Sequence, residues 1–395
     1  MKTYCKNVDI SNRELISKCV YECLRGKYTR GDVLEILARN AGRSKNALKN
    51  AIKSGCASVV TQAIEKVIDE IRIEIMQRNI SLKPIWYSEK FDNSSHKLRR
   101  IGIQDIKQQF YDYIAVEGLK PILRRIGEYQ CASIPGRGQK YGIHAIQKWL
   151  RNPAIRYAAK SDIQKCYESI DREKLMQFLR RYIRNEALLW LIERLIYTFE
   201  KGLSIGSYLS QYLCNLYLSQ LYHYAQEYMY KIRRHKNGTQ SRVRLVQHVL
   251  FYMDDILLLG TNAKDLHEAV RLMKLKANDM WLTIKKKWIV FSLENTFVDM
   301  MGVRMFRKYA TIRDYVFLRI RRAYKSALRR IRTRRSVPLP LARRCVSYNG
   351  ILAQTNSFEL RKRLRAALVM KICKGVISRE SKILAAATAA RFATD

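Results

Sequence analysis

Near the amino terminus, apolar residues recur at helical intervals. Ser11 and Glu14 have the spacing of a capping box at a helix start. The run Val33-Leu34-Glu35-Ile36-Leu37 puts its apolar side chains on one helical face. Ala41-Gly42-Arg43-Ser44 interrupts it, and Ala47 to Ile52 resumes it. Residues 1–75 are therefore predicted as short helices. Helix, glycine-containing turn and helix suit either a helix-turn-helix that reads DNA or a small bundle packed on the rest of the chain. From about 76 to 305 strand-like and helical runs mix. Tyr157-Ala158-Ala159 reads as a core strand, and Val249 to Gly260 as a hairpin of two apolar strands around a polar turn. Beyond 305 the pattern is that of an amphipathic helix or helix pair. Tyr315, Phe317, Leu318 and Ile320, then Ala323, Leu328 and Ile331, alternate with charges. Val337-Pro338-Leu339-Pro340 stops it, and a second helical stretch is expected to about Cys373, followed by an Ala-rich, peripheral tail.

Charge changes the picture. The 395 residues hold 75 Lys and Arg against 34 acids, a net charge of +41, with a hydrophobic fraction of 48% that belongs to a folded chain. From Arg304 to Arg344 there are fifteen Lys and Arg and one acid, Asp314. Such an excess repels itself unless a polyanion neutralises it, which points to nucleic acid. No apolar run is long enough to span a bilayer, so no membrane partner is expected. Nine cysteines without a CxxC pair argue against zinc and fit free thiols in a reducing cytoplasm.

The chemistry gathers at Tyr252-Met253-Asp254-Asp255. Adjacent carboxylates repel, and a cation normally compensates them. Phosphoryl transfer needs such a site, since two magnesium ions activate a 3′-hydroxyl and stabilise the leaving pyrophosphate. Hard cations take oxygen ligands from more than one segment. Asp162, at the end of the predicted strand at Tyr157, can face the pair. Tyr167, five residues on, either closes a sugar pocket against a ribose 2′-hydroxyl or is ordinary core. Ile205-Gly206-Ser207-Tyr208-Leu209-Ser210-Gln211 permits a close backbone approach at Gly206 before an apolar helix. Ser133 to Gly142 is a Gly-rich loop whose Arg137 and Lys140 are candidates to cradle phosphates. Arg319, Arg322, Lys325 and Arg329 repeat at helical intervals and suit a phosphate-gripping face.

These pieces, with Lys97-Leu98-Arg99-Arg100-Ile101, Lys285-Lys286 and the Met301-Gly302 turn, stand in one order that resembles the reverse transcriptase family over about residues 85 to 370. Most branches of that family carry Gln-Gly and Ser-Pro where this chain has Ile205-Gly206 and Ser210-Gln211. The variant is similar to the reverse transcriptases of diversity-generating retroelements, which are bacterial and phage-borne. The resemblance implies an α+β right-hand polymerase. Its fingers would span 76–155, its palm, a split βαβ sheet, 156–305, and its helical thumb 306–382. A tail would cover 383–395, and 1–75 would be a helical N-terminal extension. It implies Asp162, Asp254 and Asp255 as ligands of two Mg²⁺ (Mn²⁺ substituting), with the Ile163 carbonyl beside them. Tyr167 would be the steric gate, and Ile205, Gly206 and Gln211 would adjoin the nucleotide. Arg99 would meet the triphosphate or templating base, Lys285 or Lys286 the pyrophosphate, and Tyr252 the nucleic acid. The implied partners are template RNA, the RNA/DNA hybrid, dNTPs, a structured non-coding RNA and a small helical accessory protein.

Isoleucine at 205 has no donor or acceptor, so mispaired geometries lose less relative to the correct one; the resemblance implies low fidelity, chiefly opposite template adenine. All six histidines lie at or before His267, and past Phe306 the only acids are Asp314, Glu359, Glu380 and Asp395. An RNase H site is therefore not expected. Two other readings stay open: a defence-associated or retron-like reverse transcriptase, and an inactive RNA-binding scaffold.

Overall fold

The structure is a computed structural model that describes residues 2–54, 57–92 and 97–389. The chain gathers into two compact units, each discontinuous in sequence. The first takes the residues up to Ile126 together with Lys165–Tyr217 and the chain from Lys382; the second takes Gly127–Gln164 and Leu218–Ser381.

In the first unit, helices Arg13–Leu24, Gly31–Ala41, Lys45–Lys53 and Ala57–Met76 form a bundle. The cap of the first helix is Asn12, whose side chain accepts from the Leu15 N–H; Ser11 bonds instead to Asp9, one residue off the capping box expected from sequence. Gly42 ends the second helix in the left-handed conformation, which an L side chain adopts at a cost. Val33, Leu37, Ile64, Val67 and Ile68 are buried, so the apolar stripe packs within the unit. An antiparallel hairpin follows, Trp86–Asp92 with Lys97–Ile103. Helix Ile106–Leu123 is buried nearly all round.

The second unit is built on a five-stranded sheet. Across it run Gln130–Cys131, His248–Tyr252, Asp255–Gly260, Tyr157–Asp162 and Ile289–Ser292. Strand Tyr157–Asp162 is antiparallel to both Asp255–Gly260 and Ile289–Ser292. Those two flanking strands are thus parallel to each other, and helix Ala263–Asp279 joins them: a βαβ unit split by an inserted strand. Ile256, Leu257, Leu258 and Leu259 are all buried, the continuous apolar run of a strand covered on both faces. A three-stranded antiparallel sheet, Val298–Met300, Val303–Met305 and Ala310–Ile312, turns at Met301-Gly302, both with positive φ.

Helix Asp314–Arg332 then buries Val316, Ile320, Ala323, Tyr324, Ala327 and Leu328 against Ala342, Cys345, Leu352 and Val369. The stretch expected as one second helix is three: Leu339–Ala353, Phe358–Arg363 and Ala366–Ala389. Thr355 and Ser357 break it by turning their hydroxyls back onto the Ile351 and Leu352 carbonyls. The last helix continues beyond 382 into the expected tail, of which residues 390–395 lie outside the described residues. Among the described residues no helix is long and apolar enough to cross a membrane.

Candidate active site

The second unit brings Asp162 and Asp255 together. They are Cα partners on the two central strands of the sheet. Between Tyr252 and Asp255 the chain reverses through Met253, which takes φ of +55°. The Asp254 carbonyl accepts from the Ile163 N–H at 3.1 Å, tying the turn to the residue after Asp162. Lys285 closes the site from the opposite side. Its N–H donates to the Asp162 carbonyl at 2.8 Å, and its Nζ lies 2.6 Å from Asp162 Oδ2. Sequence left Lys285 and Lys286 undecided; the structure puts Lys285 on the carboxylate and leaves Lys286 exposed.

Electrostatics splits the two acids. Burial raises Asp255, and a hydrogen bond shared with Asp162 raises it further. Burial works against ionised Asp162 too, but the Asp255 hydrogen bond and the Lys285 ammonium outweigh it and hold Asp162 below the usual carboxylate range. The pair behaves as two carboxylates sharing one proton, the response of like charges at close quarters. Half-buried paired carboxylates with a carbonyl-bearing neighbour, Ile163, form a hard-oxygen donor set that fits magnesium or manganese. Among the described residues, no three His, Cys, Asp or Glu side chains are grouped to hold a metal as they stand. The expected trio is thus assembled as a pair, Asp162 and Asp255, with Asp254 adjoining it in the turn.

Other expected residues of this unit fall as follows. Arg137 spends its guanidinium on the Gly127 carbonyl at 2.7 Å and so braces the Gly-rich loop from inside. Lys140 is exposed in the first turn of helix Gln139–Leu150. Tyr252 is half-buried against the core around Cys131. Arg322, Lys325 and Arg329 are exposed, and Arg319 half-buried, along the side of their helix away from its apolar face.

The first unit assembles a second group. Gly206 has φ of +113°. The Gly102 N–H, in the hairpin strand, donates to the Ile205 carbonyl at 2.9 Å. The Leu203 N–H donates to the Tyr167 carbonyl at 2.8 Å, so Tyr167, Ile205 and Gly206 belong to one neighbourhood. Arg99 extends from the same hairpin strand and is exposed. Arg100 beside it pairs with Glu200 at 2.6 Å and lies over the Tyr87 ring.

Sequence reasoning missed the residue beneath this turn. Asp112, fully buried in helix Ile106–Leu123, accepts from the Ser207 hydroxyl at 2.7 Å and the Leu209 N–H at 3.2 Å. It therefore caps helix Tyr208–His223 from a distance and pins the Gly206 turn. Burial pushes its carboxyl up to about 6, against the pull of those donors. The one signal in the sequence is an acid within the apolar stretch Phe110-Tyr111-Asp112-Tyr113-Ile114. A 340 Å³ cleft opens beside the turn, lined by Lys27, Arg30, Gln104, Gln109, Gly206 and Gln211 among others. Gln104 is buried there, its side chain directed at the Asp112 carboxyl.

One protein family, described as reverse transcriptase (RNA-dependent DNA polymerase), matches residues 89–305, more than half of the chain. No curated protein matches it. Among solved structures it is similar to the apo telomerase of Candida tropicalis truncated from its C-terminal domain, with 12% identity and a TM-score of 0.41 over 58% of this chain and 54% of that one. It is also similar to the telomerase of Candida albicans in complex with a TWJ fragment of telomeric RNA, with 13% identity and a TM-score of 0.41 over 59% of this chain and 46% of that one. The chain thus spans about half the length of these structures.

Proposed function

Since the chain belongs to the reverse transcriptase family, whose members are RNA-dependent DNA polymerases, we propose that it copies an RNA template into DNA and does so with low fidelity, as the polymerase of a diversity-generating retroelement. The observation that carries the polymerase reading is the pairing of Asp162 with Asp255 across the split sheet, under the Lys285 ammonium.

Magnesium, or manganese in its place, would be held by Asp162, Asp254 and Asp255 with the Ile163 carbonyl, and supplies the charge that activates the primer 3′-hydroxyl and neutralises the triphosphate. The protein's own groups do the rest. Lys285 keeps Asp162 ionised and stands ready as a donor to the departing pyrophosphate. Tyr167 guards the sugar, and the Ile205-Gly206 turn, held by Gly102 and Asp112, presents backbone and an apolar side chain to the nucleotide. In this reading the hairpin ending at Ile103 belongs to the fingers, the split sheet is the palm, and helix Asp314–Arg332 belongs to the thumb and grips the hybrid through Arg319, Arg322, Lys325 and Arg329. A structured non-coding RNA and a small helical accessory protein are the proposed companions. The retroelement assignment rests on Ile205-Gly206 with Ser210-Gln211.

Primer extension on a defined RNA template tests the reading. Wild type should make DNA with errors concentrated opposite adenine. Asp162→Asn or Asp254→Asn should abolish synthesis while RNA binding persists. Full extension by the double Asp254→Asn, Asp255→Asn variant would refute the site.

A further inference from the structure

The second unit carries a feature that polymerisation leaves unused. Strands Tyr230–Arg234 and Gln240–Arg244 form an exposed two-stranded ribbon that belongs to neither of the unit's other sheets. Between Glu227 and Asp254 the sequence has no acid, while the ribbon and its turn hold Lys231, Arg233, Arg234, Lys236, Arg242 and Arg244.

The register sorts these residues by face. Tyr230 pairs with Arg244, Ile232 with Arg242 and Arg234 with Gln240, so these six side chains share one side. Lys231, Arg233, Ser241 and Val243 share the other. That second side is the attached one: Ser241 and Val243 are half-buried, and Lys231 Nζ pairs with Asp265 at 2.7 Å. The first side faces solvent, with Tyr230 38% and Ile232 51% exposed. Among the described residues, Arg234, Arg242 and Arg244 make no salt bridge. The Arg242 guanidinium lies 4.7 Å from the Tyr230 ring centroid.

The ribbon's anchorage also places it. Asp265 opens the helix that follows Gly260, the end of strand Asp255–Gly260 remote from Asp255. Five steps of roughly 3.4 Å put that end about 17 Å from the carboxylates. The ribbon is therefore attached at the far end of the sheet from the proposed chemistry.

We propose that this outward face is a docking surface for a base-paired RNA stem bearing an unpaired base, separate from the template–primer hybrid. A ribbon that needed only solubility would present charge alone. This one adds an exposed tyrosine and isoleucine between three unpaired arginines. Alternate residues of a strand stand roughly 6.8 Å apart, which lets Arg242 and Arg244 take successive phosphates of one strand while Arg234 reaches across. Tyr230, already beside a guanidinium, offers a stacking platform for a splayed base. An acidic protein would satisfy the arginines but not the platform, and an anionic lipid surface would require apolar insertion deeper than one tyrosine and one isoleucine provide.

The test uses the full chain and the triple variant Arg234→Gln, Arg242→Gln, Arg244→Gln, with Tyr230→Ala beside it. All four positions are exposed, so both proteins should fold. Binding of a labelled RNA stem-loop carrying a bulge is followed across a salt series, alongside extension of a short preannealed RNA–DNA duplex. The triple variant should lose about 2 from the slope of log K on log salt and bind about tenfold more weakly, since each lost phosphate contact removes roughly 0.7–0.9. Tyr230→Ala should weaken binding to the bulged stem more than to a fully paired one. Extension should stay within about twofold of wild type. An unchanged salt slope overturns the proposal. So does a parallel fall in extension, which would put the ribbon on the hybrid, or a loss of binding to phosphatidylserine vesicles while RNA binding holds. The arms separate this surface from the polymerase reading: a wild type that makes no DNA, yet shows the slope change, refutes the polymerase and keeps the RNA-docking face.

Discussion

Replacing Gly206 by alanine tests whether the turn before helix Tyr208–His223 is set by backbone apposition. A Cβ built on Gly206 would lie 2.5 Å from the Gly102 carbonyl oxygen and 3.0 Å from Ile101 Cγ2. The first contact is with backbone, so no rotamer change relieves it. The φ of +113° is also one that alanine adopts only under strain. Such strain costs about 1–3 kcal/mol. Moving the turn away from the hairpin strand far enough to admit the methyl also breaks the Gly102 N–H bond to the Ile205 carbonyl, worth about 1 kcal/mol. Together the loss should be about 2–4 kcal/mol. Gly26 supplies the control: its φ is +70°, and a Cβ there meets nothing within 4 Å. Gly26→Ala should cost only about 1 kcal/mol. Urea unfolding measures both, with a lowered midpoint at constant m. The function should follow, with the KM for dNTP rising in Gly206→Ala while affinity for the template is kept. Equal midpoints for the two variants would refute the reasoning, because of these two glycines Gly206 faces another backbone and Gly26 does not.

Three further expectations follow from the same unit. Asp112 titrates near 6 when folded and near 3.9 when unfolded, so the native state alone keeps its proton between those values. Its contribution is full below about pH 4 and is lost as pH rises through about 6; unfolding midpoints of wild type should fall across that window, and those of Asp112→Asn should fall less, whereas superimposable pH profiles would remove the argument. Ile205→Gln should improve fidelity opposite adenine by roughly two- to tenfold, the worth of one net hydrogen bond, read by sequencing cDNA from a defined template; a wild type already accurate at adenine would count against the retroelement reading. Tyr167→Ala should raise ribonucleotide incorporation, and an unchanged rNTP to dNTP ratio would make Tyr167 core.

What was legible in the sequence was what hydrophobic pattern writes. The hairpin around Met253 is announced by two apolar runs flanking a polar turn, and strand Tyr157–Asp162 by its small apolar residues. Asp162, Asp254 and Asp255 stood out because carboxylates at the ends of apolar strands are costly without a purpose. The ribbon Tyr230–Arg244 was not read, because its short alternation, Tyr230 and Ile232 in one strand and Val243 in the other, lies among arginines and lysines and buries no apolar face. Asp112 was invisible for the opposite reason: it sits within a helix buried nearly all round, where no polar face marks a period, and its partners lie 95 and 97 residues away. The choice between Lys285 and Lys286 needed register, which the local sequence does not specify.

The split sheet also dictates an order of events during synthesis. Strand Tyr157–Asp162 has both of its neighbours, Asp255–Gly260 and Ile289–Ser292, later in the chain. At roughly 5–20 residues per second, a ribosome takes about 5–20 s to make the first of them. Through that interval the strand has two open edges and apolar residues without cover, Ala158 and Ala159 among them. Asp162 and Asp255 meet only when the later strand arrives. Slower elongation should lengthen the exposure, and the yield of soluble protein should fall with it unless a chaperone holds the first strand.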